Sequence, residues 1–118
     1  MDLTLLSDAR DALRLEMTGR IVRNEATLVL QSFDGLLGPE GYTRNALLSL
    51  AETTFIDVSS LSWLLVLHKR FRKAGGQLVV HSVCPPVMAS LEMVHFELVL
   101  HIAEDEAAAL ELLRSQDS

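Results

Sequence analysis

Asp57, Ser59 and Ser60 sit in the stretch Thr54-Phe55-Ile56-Asp57-Val58-Ser59-Ser60-Leu61-Ser62-Trp63, where an apolar run gives way to a helical pattern. A carboxylate and two hydroxyls at a helix start can serve two ends. They can cap the helix, since its first N–H groups have no intrahelical partner and a side-chain oxygen satisfies one of them. The same N–H groups and the positive end of the helix dipole also hold anions, so a hydroxyl there could accept a phosphoryl group and acquire a large negative charge. Hydrolytic chemistry is disfavoured: a serine nucleophile needs an oriented base, and the chain has no Gly-x-Ser-x-Gly elbow.

The other reactive side chains form no pattern. His68, His81, His95 and His101 lack metal-ligand spacing, and Cys84 is the only thiol, so no zinc site is expected. His68 reads as a partly buried core residue. Cys84 precedes Pro85-Pro86, which cannot donate N–H groups to an oxyanion, and it reads as a small buried apolar residue. The glycines are too scattered to cradle phosphates. The expectation is a protein without cofactor, metal, small-molecule substrate or enzymatic activity.

The elements that would position the joint follow from periodicity. Leu3–Leu6 and Ala12–Met17 alternate like paired strands, with a turn at Ser7 and Asp8 and an end at Thr18-Gly19. Asn24 and Glu25 open a helix whose apolar residues Ala26, Val29, Leu30, Phe33 and Leu37 recur at helical spacing. Gly38-Pro39-Glu40-Gly41 then reads as a loop. Ala46–Leu50 is a central strand that Thr53–Ile56 extends or follows. A helix from about Ser59 to Ala74 closes at Gly75-Gly76, and Gln77–His81 returns as a strand. Pro85-Pro86 opens a third helix, Leu98-Val99-Leu100 reads as a last strand, and Asp105–Arg114 as a final helix begun by acidic residues. The fold class is therefore α/β: a small mixed sheet of four to five strands, parallel at its centre and antiparallel at its N-terminal edge, with about four helices.

On a helical wheel Leu61, Leu64, Leu65, His68 and Phe71 form the core-facing stripe. Trp63, Val66, Leu67 and Arg70 fall opposite, on the side of Ser59. Apolar residues on an outward face suggest a surface built to be covered, either by a partner protein or by a neighbouring helix such as the first.

The 118 residues suit one domain, 1–118. Sixteen acidic against ten basic residues give a net charge of -6, which repels nucleic acid unless basic groups cluster. The one cluster, Lys69, Arg70, Arg72 and Lys73, has no aromatic platform beside it and reads as a solvated helix end. A single cysteine, an acidic N-terminus and no apolar run of membrane-spanning length point to the cytoplasm without membrane insertion.

The stretch Phe55-Ile56-Asp57, with Leu61, the Gly75-Gly76 pair and Leu78-Val79-Val80, resembles STAS domains of the anti-sigma factor antagonist type, and the element order agrees over nearly the whole chain. That resemblance implies a regulatory module that sequesters a kinase-type anti-sigma factor, a serine kinase, and so frees a sigma factor in transcription control. The residues themselves, from the joint and the outward face of its helix, give the expected partner surface: Asp57, Ser59, Ser60, Trp63, Val66 and Arg70. The rival reading is a structural or assembly subunit of a transport or signalling complex. Departures from the family pattern matter. Val58 stands where the phosphorylated hydroxyl usually is, Ser60 and Ser62 replace two glycines, Arg20-Ile21-Val22 replaces an acidic tripeptide, and His95 replaces a glycine that ends the third helix. Either Ser59 has become the phospho-acceptor, or the switch is lost and binding proceeds without phosphate control.

Overall fold

Residues 1–22 and 25–116 are described by the computed structural model. Asn24, read as part of a helix start, lies outside them. The N-terminal alternation forms a hairpin: β1 (Asp2–Asp8) runs antiparallel to β2 (Leu13–Ile21), with Leu3 opposite Met17 and Leu5 opposite Leu15. The turn lies after Ser7 and Asp8, because Asp11 makes it. Its carboxylate accepts the Ala12 N–H at 2.9 Å and the Arg14 guanidinium at 3.1 Å. β2 also outruns its expected end at Gly19, since the long β3 (Asn45–Ile56) pairs with it in parallel as far as Ile21 opposite Ile56.

α1 (Ala26–Gly41) covers the expected first helix and part of the expected loop. Gly38, with φ 62°, breaks the helical path, and Pro39 restarts it at a position where its missing N–H matters little. After β3, a 3-10 turn (Val58–Ser60) leads into α2 (Ser62–Ala74), so the expected single helix from Ser59 is two pieces. The paired glycines that end α2 do different jobs. Gly75 adopts φ 99°, the left-handed cap that returns the Gly76 N–H to Phe71 O at 2.9 Å. Gly76 lies so close to β3 that an added Cβ would meet Arg44 O at 2.2 Å.

β4 (Gln77–His81), α3 (Pro85–Met93), β5 (His101–Ala103) and α4 (Glu106–Gln116) complete the chain. The last strand is not Leu98-Val99-Leu100. His95 takes a left-handed conformation (φ 60°), Phe96–Leu98 wind into a 3-10 turn, and Leu100 drops into the core before His101 pairs with Val79. The five strands lie in the order β1-β2-β3-β4-β5, all neighbours parallel except the first pair. Side-chain alternation in the central strands serves two layers. Ala46, Leu48, Leu50, Leu78 and Val80 pack with Val29, Phe33, Leu64, Phe71, Val87 and Leu91 of α1, α2 and α3. Leu47 and Val79 face the other way, against Ala109 and Leu113 of α4. The mixed sheet and four helices agree with the fold expected from sequence. No helix among the described residues is long and apolar enough to cross a membrane.

Candidate functional site

β2 and β3 end side by side, and the chain leaves β3 through Asp57, whose N–H donates to Ile21 O at 2.8 Å. With φ -64° and ψ 132°, Asp57 is the extended residue that precedes the 3-10 turn. Its Oδ1 accepts both the Ser59 N–H (3.0 Å) and the Ser59 hydroxyl (2.9 Å). The carboxylate therefore caps the turn and holds the exposed Ser59 hydroxyl in place at once. Ser60 is turned inward. It is 1 % exposed and donates its hydroxyl to Val22 O at 2.9 Å, which ties the joint to the chain beyond β2.

The docking face expected on α2 needs correction. Trp63 is fully buried, stacked on Phe33 of α1 with ring centroids 6.3 Å apart, and Leu67 is fully buried beside it. The helical wheel separates faces correctly but does not say what covers each one. Here α1 covers the Trp63 side, the alternative that sequence left open. Ser60 and Trp63 therefore cannot present themselves to a partner. Arg70 belongs to the same seam: its guanidinium donates to Asp34 Oδ1 at 2.9 Å, and the Tyr42 hydroxyl donates to that oxygen at 2.5 Å. Burial, then the bond to Asp34, pushes the Tyr42 pKa up to about 12. The Arg70 pKa is raised, first by its bond to Tyr42. Of the expected surface residues, Ser59 and Val66 are exposed and Asp57 and Arg70 half-buried.

The joint has an apolar rim that the wheel did not contain. Val22, Phe55 and Val58 are 40 %, 38 % and 40 % exposed; they stand at or just beyond the adjacent ends of β2 and β3, and Val58 directly precedes Ser59 in the chain. The Arg20 guanidinium lies 4.9 Å over the Phe55 ring. The sequence held one signal of this: in Phe55-Ile56 the strand alternation puts Ile56 in the core and so leaves Phe55 outside. Among the described residues no group of three or more histidine, cysteine or carboxylate side chains is placed to hold a metal. Among the described residues, the Asp57 carboxylate is the base hydrogen-bonded to Ser59. The arrangement presents one oriented hydroxyl within an exposed apolar surface, which suits recognition by a protein.

Comparison with known proteins agrees with this fold. The chain belongs to the STAS domain family, whose model matches residues 7–109. An anti-sigma F factor antagonist of Paenibacillus polymyxa is 27% identical over 101 residues, 86% of each protein. A crystal structure of a candidate anti-sigma factor antagonist from Thermotoga maritima superposes with a TM-score of 0.78 at 21% identity, over 92% of each chain. The murine anion transporter Solute Carrier 26 family member A9 contains a similar fold, at TM-score 0.76 and 15% identity, over 92% of this chain and 18% of the transporter.

Proposed function

With membership of the STAS family as premise, we propose that this chain is a protein-binding regulator of the anti-sigma factor antagonist kind. It sequesters a kinase-type anti-sigma factor and so releases a sigma factor, and it does so without phosphate control. The observation that carries the reading is the exposure of Val22, Phe55 and Val58 at the strand ends from which the Asp57–Ser59 pair leaves. Exposed apolar side chains beside a hydrogen-bonded polar pair offer both the area and the directional contacts that a protein interface uses. The name of the Paenibacillus polymyxa relative supplies the kind of partner. Loss of the switch is supported by Val58, which has no hydroxyl, and by the turn geometry. Ser59 is one residue further round a tight turn, and a kinase that aligns one hydroxyl within a few Å is badly served by that displacement.

The test is titration of the chain with a kinase-type anti-sigma factor from the same cell, with and without ATP and Mg²⁺, followed by intact mass and site mapping. Tight binding with no phosphate added supports both halves. Phosphate on Ser59 that abolishes binding refutes the loss of control and leaves the partner assignment standing. No binding under either condition refutes the assignment. It would then favour the assembly-subunit reading, which draws support from the same fold occurring as a small part of a transporter.

A further inference from the structure

Arg14, Arg44, Arg70 and Arg114 each face a carboxylate: Asp11, Asp8, Asp34 and Glu111. Arg20 faces a ring instead. Its side chain is exposed, its guanidinium carbon stands 4.9 Å from the Phe55 centroid, and no carboxylate among the described residues pairs with it. The sheet sets this pairing. Arg20 lies opposite Phe55 in the parallel register of β2 and β3, and the Asp57 N–H donates to Ile21 O at 2.8 Å, so the two strands are tied together where they end. The carboxylates that follow them are turned to other donors. Glu25 accepts the Val22 N–H at 3.0 Å, and Asp57 accepts the N–H and hydroxyl of Ser59.

An arginine in water needs no explanation by itself, but this one is prepared for a contact. The ring restrains a side chain that is otherwise free to turn, so less freedom is lost when a partner fixes it. A guanidinium beside a ring still offers its planar fork of N–H donors, which matches a carboxylate at two points. Phe55 carries exposed apolar surface, as do Val22 two residues beyond Arg20 and Val58 three beyond Phe55. A partner that covers them also shuts water away from Arg20, and an ion pair strengthens as water leaves. The charge then selects the occupant. A basic group would be repelled, and a wholly apolar one would leave Arg20 covered without a counter-charge, which is strongly unfavourable. One cation is too little to hold nucleic acid against a net charge of -6.

We propose that the partner protein presents an aspartate or glutamate, flanked by apolar side chains, to the Arg20–Phe55 pair, and that Arg20 selects it. The inference rests on the protein-binding reading above and adds the sign of the charge that the partner brings.

The experiment titrates a kinase-type anti-sigma factor from the same cell calorimetrically into the unaltered chain and into Arg20→Lys, Arg20→Gln and Arg20→Glu, each shown to be folded by circular dichroism. Affinity should fall about tenfold or more with glutamine and further with glutamate, with lysine between the unaltered chain and glutamine. The gap between the unaltered chain and Arg20→Glu should narrow as NaCl rises from about 0.05 to about 0.5 M. Phe55→Leu keeps apolar area and removes the ring, so the loss from Arg20→Gln should shrink in that background. Tighter binding by Arg20→Glu would reveal a basic group opposite and overturn the inference. Equal affinities of Arg20→Gln and Arg20→Glu, or affinities unchanged from the unaltered chain, overturn it too, and each of these results leaves the protein-binding reading standing. No binding by the unaltered chain overturns that reading and this inference with it.

Discussion

Trp63→Ala tests the seam that displaced the expected docking face. Trp63 is fully buried and stacked on Phe33, and a tryptophan so placed removes roughly 200–250 Å² from water. At ~25 cal/mol per Å² that burial contributes roughly 5–6 kcal/mol. One term opposes it: the indole Nε1–H is buried with no acceptor among the described residues, a penalty of about 1–3 kcal/mol that truncation relieves. The net cost of Trp63→Ala is therefore about 3 kcal/mol, at the low end of large-to-small aromatic substitutions. For a chain of this size that lowers Tm by roughly 10–15 °C. Trp63→Phe keeps a ring against Phe33 and deletes the orphaned N–H, so its cavity cost and the relief nearly cancel, within about 1 kcal/mol. Urea unfolding followed by far-ultraviolet circular dichroism is the assay, because these variants lack the only tryptophan and cannot be read by its fluorescence. A cost below about 1 kcal/mol for alanine would refute the burial argument. Equal costs for alanine and phenylalanine would refute the role given to the orphaned N–H.

Val58→Asp places a charge in the exposed rim and should weaken anti-sigma factor binding at least tenfold, about 1.4 kcal/mol, while unfolding midpoints stay near wild type; calorimetric titration reads the first and urea the second. Gly76→Ala should cost about 3 kcal/mol or more in the same urea assay, because its Cβ would meet backbone oxygens of Arg44 and Tyr42 at 2.2 and 2.5 Å. Gly75→Ala meets open space and carries only the left-handed backbone penalty, about 1–2 kcal/mol. His68 and His81 both titrate below the ordinary histidine value of 6.5, first because burial disfavours their charged forms. The unfolded chain therefore takes up their protons first as pH falls. Their stabilising contribution is complete above the unfolded value and is lost as pH drops below it, so urea midpoints should fall between pH 7.5 and 5. His81→Gln should flatten that dependence.

Much of the fold was legible because local patterns and tertiary demands agree in most elements. Leu13, Leu15 and Met17 alternate and are buried together; Gly75-Gly76 stops α2; Pro85 opens α3. The misplaced boundaries share a cause. β2 runs past Gly19 because β3 offers partners there, and β5 begins late because His95 takes a left-handed turn that no periodicity announces. At the site, Asp57 and Ser59 were legible as a cap with a hydroxyl, and the structure bonds them to each other. Phe55 and Val58 were missed as surface residues because neighbours in a strand and a turn look apolar whether or not anything covers them.

The sequence by itself determined the alternation of strands and helices, the carboxylate–hydroxyl joint at the start of α2, and the two faces of that helix, because each depends on contacts within a few residues. Only the tertiary structure decided which face α1 would cover. It buried Trp63, left Val22, Phe55 and Val58 in water, and brought His68 to His101. Periodicity fixes the angle between side chains on one element, whereas burial depends on where a distant element comes to rest.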